Sequence, residues 1–276
     1  MKDVANIYGE KNVTVVSQDD QAKVELGQAA AKEQGPILMK VDYQVRLPDH
    51  DWSVGPRHKL IPSVYAGLVF KDGKLSYSGP TFIAIRSGKH DSSTAESHRR
   101  DLARFMELPE FYDFTHSYGQ VKPILIQLVD GGGDQRPANT KTLKQAIANF
   151  IDYNLDAVFV ATHAPSQSAR NPVERRMAPL SRQLCGVILP YQHYGNHLDA
   201  SRKTIDEDLE IKNFGRAATV LKSLWNGMTI DEYKVVAEYV PPPGTTYIDE
   251  SEESLEQTGL DTDVTGTNTG ISHCFG

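Results

Sequence analysis

Apolar positions along the chain change rhythm partway. "NVTVVSQDD" (12–20) is a short apolar strand closing on two acids, and "PILMKVDYQVRL" (36–47) has the β-branched content of a second strand before the loop "PDHDWSVGPRH". "KLIPSVYAGLVF" (59–70) and "LSYSGPTFIAIRSG" (75–88), joined by "KDGK" as a turn, read as adjacent antiparallel strands. "SSTAESHRRDLARFMEL" (92–108) opens with Ser/Thr capping candidates and places Leu102, Phe105 and Met106 at helical spacing.

The second half alternates strand and helix. "PILIQLV" (123–129) is a continuous apolar run, the pattern of a strand buried on both faces. "NTKTLKQAIANFIDYNL" (139–155) predicts a helix with Leu143, Ile147 and Phe150 on one side. "DAVFVATHAP" (156–165) reads as another buried strand, and "NPVERRMAPLSRQLCGVIL" opens a helix that Pro179 should kink. A further helical pair is expected in "DEDLEIKNFGRAATVLKSLWNG" and "TIDEYKVVAEYV", and "PPPG" (241–244) marks the end of the folded part. Strands in series followed by strand–helix units predict a mixed α/β sheet, parallel in its later part. There is no internal repeat.

Composition adjusts this picture in three places. The 276 residues, 39 % hydrophobic, suffice for one large α/β domain, set at 12–240, with a tail at 241–276. Net charge is −7, but the acid gathers in "IDESEESLEQTGLDTDVTGTNTG" (248–270), an apolar-poor stretch that reads as a solvated or disordered tail. The remaining body is near neutral and carries a basic segment, "ARNPVERRMAPLSRQ", with Arg170, Arg175, Arg176 and Arg182. Two cysteines, Cys185 and Cys274, make no disulfide framework, so a reducing compartment is expected. No apolar stretch is long enough to cross a bilayer, and "MKDVANIYGEK" lacks the apolar core of a secretory signal.

Acids stand where a central sheet would end: Asp19 and Asp20 after "VTVVSQ", Asp130 after "ILIQLV", and Glu174 at a helix start. Brought together, three carboxylates repel one another and raise one another's pKa until a divalent cation joins them. Two such cations about 3.5–4 Å apart can activate a water or hydroxyl and stabilise the leaving oxygen of a phosphodiester. Each acid also has a plainer reading. Asp19 and Asp20 can simply end a strand, and Asp130 can open the turn of "VDGGGD". "NPVE" places Asn171 at N-cap, Pro172 at N1 and Glu174 at N3, a capping box with its proline where a helix accepts one.

These residues resemble the DDE-type transposases and integrases of the ribonuclease-H-like fold. The segment "SQSARNPVERRMAPL" (166–180) is similar to the mariner-like form "SPDLNPIE", matching at Asn171, Pro172 and Glu174 with Val173 in place of isoleucine. "LVDGGGD" matches the second acid at Asp130, with Gly131 where asparagine is usual. "VVSQDDQAK" is similar to the first, with Asp19 the better match and Asp20 the alternative. Asp19 and Asp130 stand 111 positions apart (19 to 130), and Asp130 and Glu174 stand 44 apart (130 to 174), a little longer than the group's spacing.

The likeness covers roughly 12–190. It implies a ribonuclease-H-like mixed sheet flanked by helices, with Asp19, Asp130 and Glu174 as catalytic metal ligands for two Mg²⁺ or Mn²⁺ ions. The implied chemistry is DNA phosphodiester hydrolysis and strand transfer, with Arg170, Arg175, Arg176 and Arg182 against DNA phosphate. Two further readings stay open: a catalytically silent transposase-derived interaction protein, and a metal-dependent nuclease of the same fold. Only about ten residues precede the first strand, so DNA would be reached through an upstream domain or a partner protein, and a homo-oligomer is also expected. The chain is expected in the nucleus if eukaryotic and otherwise in the cytoplasm, and not to be secreted.

Histidines mark other candidates. His50, Asp51, Arg57 and His58 in "LPDHDWSVGPRHK", and His90, Asp91 and His98 in "SGKHDSSTAESH", suit a mononuclear metal site, a phosphate-binding loop with Lys89, or a structural or DNA-contacting loop. "PYQHYGNHLD" holds His193, His197 and Asp199 but is a poor zinc-protease motif, lacking the glutamate. His163, at a strand end, either lines the site or is a satisfied buried histidine. Trp52, Trp225 and the tyrosines form no stacking platform.

Overall fold

The computed structural model describes residues 2–30, 54–132, 135–162 and 170–247. The strand expected at 36–47, the residues His50, Asp51, Trp52 and His163, and the acidic tail from 248 onward lie outside the described residues.

Six principal strands form one sheet: β1 (Val13–Asp20), β2 (Lys59–Gly67), β3 (Thr81–Ser87), β4 (Ile124–Val129), β5 (Ala157–Thr162) and β6 (Tyr233–Val240). Their order across the sheet is β5-β4-β1-β2-β3-β6. The first three pair antiparallel as a meander, whereas β4 joins β1, β5 joins β4 and β6 joins β3 in parallel. A central first strand with an antiparallel meander on one side and parallel strands on the other is the ribonuclease-H-like arrangement.

Strand alternation sends side chains into two apolar layers. In β1, Val13 and Val15 enter one layer and Val16 the other; in β4, Ile124, Ile126 and Leu128 enter the first and Leu125 the second. Both strands are buried throughout their apolar parts, as the uninterrupted run in β4 requires. The first layer is closed by helices α3 (Glu174–Arg182) and α4 (Glu207–Trp225), through Met177, Leu180, Phe214, Leu221 and Trp225. The Trp225 indole N–H donates to Leu180 O at 3.1 Å and ties α4 to α3. Helix α1 (Ala95–Glu107) closes the second layer with Leu102, Phe105 and Met106. Thr94 caps α1, and its hydroxyl accepts from Ser97 N–H.

Helix α2 (Thr140–Asp152) begins at the Asn139 cap as its sequence predicts. Its apolar side is not a core face: Leu143, Ile147 and Phe150 are all exposed, because α2 packs beside α1 and β5 and not across the sheet. Strand β5 likewise departs from the buried strand expected, being half-buried with Phe159 exposed. Among the described residues it is the sheet edge, with a neighbouring strand on one side only.

The second member of the expected C-terminal helical pair is a hairpin instead. Thr229–Ile230 turns back on β6 through Asp231 and Glu232, both at positive φ. The β-branched and aromatic content of "YKVVAEYV" suits a strand added along β3. Packing continues beyond the triple proline. The Tyr247 ring lies against Gly215 of α4, where an added Cβ would come within 2.2 Å of it.

Candidate functional site

The register of β1 against β4 sets the first element of the site. Val13 stands opposite Ile124 and Ser17 opposite Leu128; two residues further along each parallel strand come Asp19 and Asp130. Alternation turns both toward the layer that holds α3. The segment before α3 is fastened to β1 by Ser17, whose hydroxyl donates to Asn171 Oδ1 at 2.5 Å and accepts Val173 N–H at 3.1 Å. Glu174 is therefore the first helical residue, beside the ends of both strands.

The capping box read from "NPVE" is not formed. Asn171 makes no side-chain cap, being engaged with Ser17 and, through Nδ2, with Gln18 O at 3.4 Å. That connection to β1 uses the side chain that a cap would have needed.

Asp19 reports the convergence. Its pKa is pushed up from 3.8 to about 7, first by burial, then by the negative charges of Asp130, Asp20 and Glu174. The Asp20 N–H bond at 2.8 Å to Asp19 Oδ1 works the other way and is outweighed. Asp20 faces the opposite layer, accepting from Ser63 Oγ at 2.5 Å with His98 Nε2 4.0 Å away. Ser63 in turn accepts from the buried Arg86, which is paired with Asp101. Asp130 is half-buried, and its Oδ1 accepts Gly131 N–H at 2.8 Å, as a turn-opening aspartate does. A Cβ on Gly131 would lie 3.2 Å from Thr162 Oγ1, so β5 leaves little room for a side chain there. The third glycine, Gly133, lies outside the described residues.

The four arginines divide. Arg170 and Arg182 are exposed, and Arg175 is exposed with its guanidinium 3.6 Å above the Tyr77 ring. Arg176 corrects the expectation of a phosphate contact. It is 1 % exposed and donates to Asp231 Oδ2 at 3.3 Å, so its guanidinium is turned into the fold. Burial lowers its pKa, with Asp231 opposing that effect.

A second cluster lies at the same end of the sheet, beyond the starts of β2 and the end of β3. His58, His197 and Glu210 are all buried, with ligand-type atoms within 4.8 Å of one another, an arrangement able to coordinate a single metal ion. His58 Nε2 and His197 Nε2 are 2.9 Å apart; they lie 3.3 Å and 3.6 Å from Glu210 Oε2. His90 Nε2 is 2.8 Å from Glu210 Oε1, and Lys89 Nζ is 2.7 Å from Oε2. Burial works to raise the Glu210 carboxyl, but its contacts with His58, His90, Lys89 and Thr204 outweigh that and hold it well below the usual carboxylate range. His197 is held below its ordinary value, chiefly by burial, and is a neutral imidazole at pH 7.

Without an ion the cluster is satisfied by hydrogen bonds. Asn213 Oδ1 accepts Tyr194 N–H and its Nδ2 donates to Gly195 O, which orients the amide so that Nδ2 faces His197 Nδ1 at 3.0 Å. The His197 proton then belongs on Nε2, pointing at His58 Nε2. Seating a cation requires that proton to move to Nδ1 and the amide to turn, a loss of a few hydrogen bonds at about 0.5–1.5 kcal/mol each. Structural zinc sites contribute about 10–16 kcal/mol, enough to carry the change.

The histidines were legible singly but not as a set. Glu210 is the residue the sequence reading passed over. It sits four, seven and eleven positions before Phe214, Ala217 and Leu221, an acid on the apolar stripe of its helix, and that placement was the available signal.

No protein-family profile matches the chain, and no curated protein does. Among solved structures, one titled "Crystal structure of a pre-cleavage Mos1 transpososome" aligns at 9 % identity and a TM-score of 0.35, over 81 % of this chain. The chain spans 58 % of the length of that one, and the likeness is too loose to bear on function.

Proposed function

We propose that the chain is a DDE-type transposase-like domain in which Asp19, Asp130 and Glu174 hold two Mg²⁺ or Mn²⁺ ions for phosphodiester hydrolysis and strand transfer on DNA. The observation that carries this is the meeting of three carboxylates from β1, β4 and α3, with Asp19 pushed up to about 7 by burial and by its acidic neighbours. Half-buried anionic oxygens in mutual repulsion fit hard divalent cations. Such ions, once bound, activate an attacking oxygen and neutralise charge on the phosphate.

The chain's own residues do the rest by placement. Asp130 gives one oxygen to Gly131 N–H, which leaves the other to take a cation, while the exposed Gly131 and Gly132 leave room for a strand of DNA. Arg170, Arg175 and Arg182 are exposed and would be the arginines to meet phosphate. Cutting and joining use the same acids, so a nuclease of this fold is the same reading with the second step absent. DNA is brought by another domain or a partner protein, a homo-oligomer is consistent with the reading, and the unit expected at 12–240 is extended by the helix Lys2–Tyr8, whose Ala5 is buried in the core, and by Tyr247. The setting is the nucleus in a eukaryote and the cytoplasm otherwise.

The test is titration of wild type, D19N, D130N and E174Q with Mg²⁺ or Mn²⁺, reading melting temperature and nicking of DNA. All three variants should stay folded and lose both the metal-dependent shift and nicking. Full retention of the metal response by D130N would reduce Asp130 to a turn residue and overturn the assignment.

A further inference from the structure

We propose that His58, His197 and Glu210 form a zinc site that is separate from the strand-end carboxylates and serves to order the fold. The three donor atoms are mutually 2.9, 3.3 and 3.6 Å apart. A tetrahedral ion with bonds of about 2.0–2.1 Å needs its ligand atoms about 3.3 Å from one another, so the three are within reach of one ion, and the two imidazoles, which face each other head to head with ring centroids 5.2 Å apart, tilt to share it. Two imidazoles and one carboxylate suit zinc, whereas Mg²⁺ takes oxygen donors. All three side chains are at most 1 % exposed, so bulk water does not compete, and one enclosed water would take the fourth corner of the tetrahedron.

The surroundings supply an outer layer of support. His90 holds the second Glu210 oxygen, and Pro56 O, 3.2 Å from His58 Nδ1, can take the His58 proton on that side when Nε2 binds the ion. Lys89 is the counter-charge of Glu210 in the ion-free protein and is a quarter exposed, so it can move outward when a cation takes its place. Binding balances as one Zn²⁺ taken up, the His197 proton moved from Nε2 to Nδ1, where Oδ1 of the turned Asn213 amide accepts it, and Lys89 displaced toward solvent.

The purpose follows from what the ligands join. His197 lies in the stretch from Gln183 to Asp206, which has no helix and only isolated bridges as strand. His58 precedes β2 and Glu210 is on α4, so the ion ties that irregular stretch to the sheet and to a helix at once. Such closure of long loops is where a metal cross-link stabilises most.

The experiment measures zinc in the purified full chain by elemental analysis, then Co²⁺ uptake by its visible absorption, with melting temperature after chelation. One equivalent of zinc, tetrahedral cobalt bands and a fall in melting temperature on chelation are expected. The D19N/D130N/E174Q triple variant should keep all three, which separates this site from the carboxylates. His90→Gln should weaken zinc binding by about 10–100-fold. Lys89→Met should tighten it, because the competing cation is gone. An unchanged melting temperature after chelation with no cobalt uptake would overturn the proposal. So would a Lys89→Met protein that loses stability and still takes up no metal, since the cluster is then a hydrogen-bonded network alone.

Discussion

Ser17 donates to Asn171 at 2.5 Å across 154 positions of chain, with both residues buried, and this bond brings the start of α3 to the end of β1. Asn171, Pro172 and Val173 are all buried where they pass β1, and Glu174 is the first residue of the segment to reach partial exposure.

Ser17→Ala should therefore cost about 1–3 kcal/mol, since Val173 N–H and Asn171 are left buried without their partner. The loss should reach function as well, lowering nicking at saturating metal because Glu174 is no longer fixed. Denaturant unfolding and a nicking assay on the same preparation check both parts.

Stability of the metal-free protein should fall as pH rises from about 4 to about 7. Asp19 holds its proton in the fold up to about 7, against 3.8 for the ordinary group, so the stability it contributes is full below about 4 and lost as pH passes its folded pKa. The size is on the order of 1–3 kcal/mol once solvent screening is allowed for. Asp19→Asn should flatten the curve, and Mg²⁺ should restore stability at pH 8. Melting curves across pH with and without metal decide it.

Asp20→Asn separates the two neighbouring acids. Asp20 faces Ser63 and His98 in the opposite layer, so this variant should keep the metal-dependent shift in melting temperature that Asp19→Asn should abolish. Equal loss in the two variants would place Asp20 among the ligands.

The arginines should also part company. Replacing Arg170 and Arg182 with alanine should weaken binding to unrelated DNA sequences and reduce the salt slope by about 2. Arg176→Ala should leave the slope unchanged and lower the melting temperature, because it empties a buried volume beside Asp231.

Gly215→Ala should destabilise by about 1–3 kcal/mol through the clash with the Tyr247 ring. In a Tyr247→Ala background the same change should cost far less, a coupling that a double-mutant cycle measures. A chain ending at 247 should melt with the full-length protein, while one ending at 244 should melt lower.

Much of this was legible along the chain. The uninterrupted apolar run of β4, the turn at Asp72–Gly73 where both residues take positive φ, and the Thr94 cap all follow from local chemistry. The departures share a physical cause. Whether Leu143 and Phe150 are covered, or Val158 and Phe159 buried, depends on what packs against them, and edge position is not written in periodicity. "YKVVAEYV" carries apolar residues that fit either period over so short a run, and pairing with β3 settled it. Asn171 had a complete local explanation as a cap and was claimed by a residue 154 positions away. Glu210 needed three distant partners before its burial made sense.

Neighbouring aspartates at the end of β1 carry a consequence for length changes in this strand. Losing one residue upstream would move Asp20 into the place of Asp19, so the doublet alone would hide the error by offering another carboxylate to the same face. The same shift would bring Gln18 to the place of Ser17, and a long amide cannot stand where a hydroxyl both gives to Asn171 and takes from Val173. Ser17 thus acts as an indexing tooth. It makes a frame slip costly at a point where the charges by themselves would have let it pass.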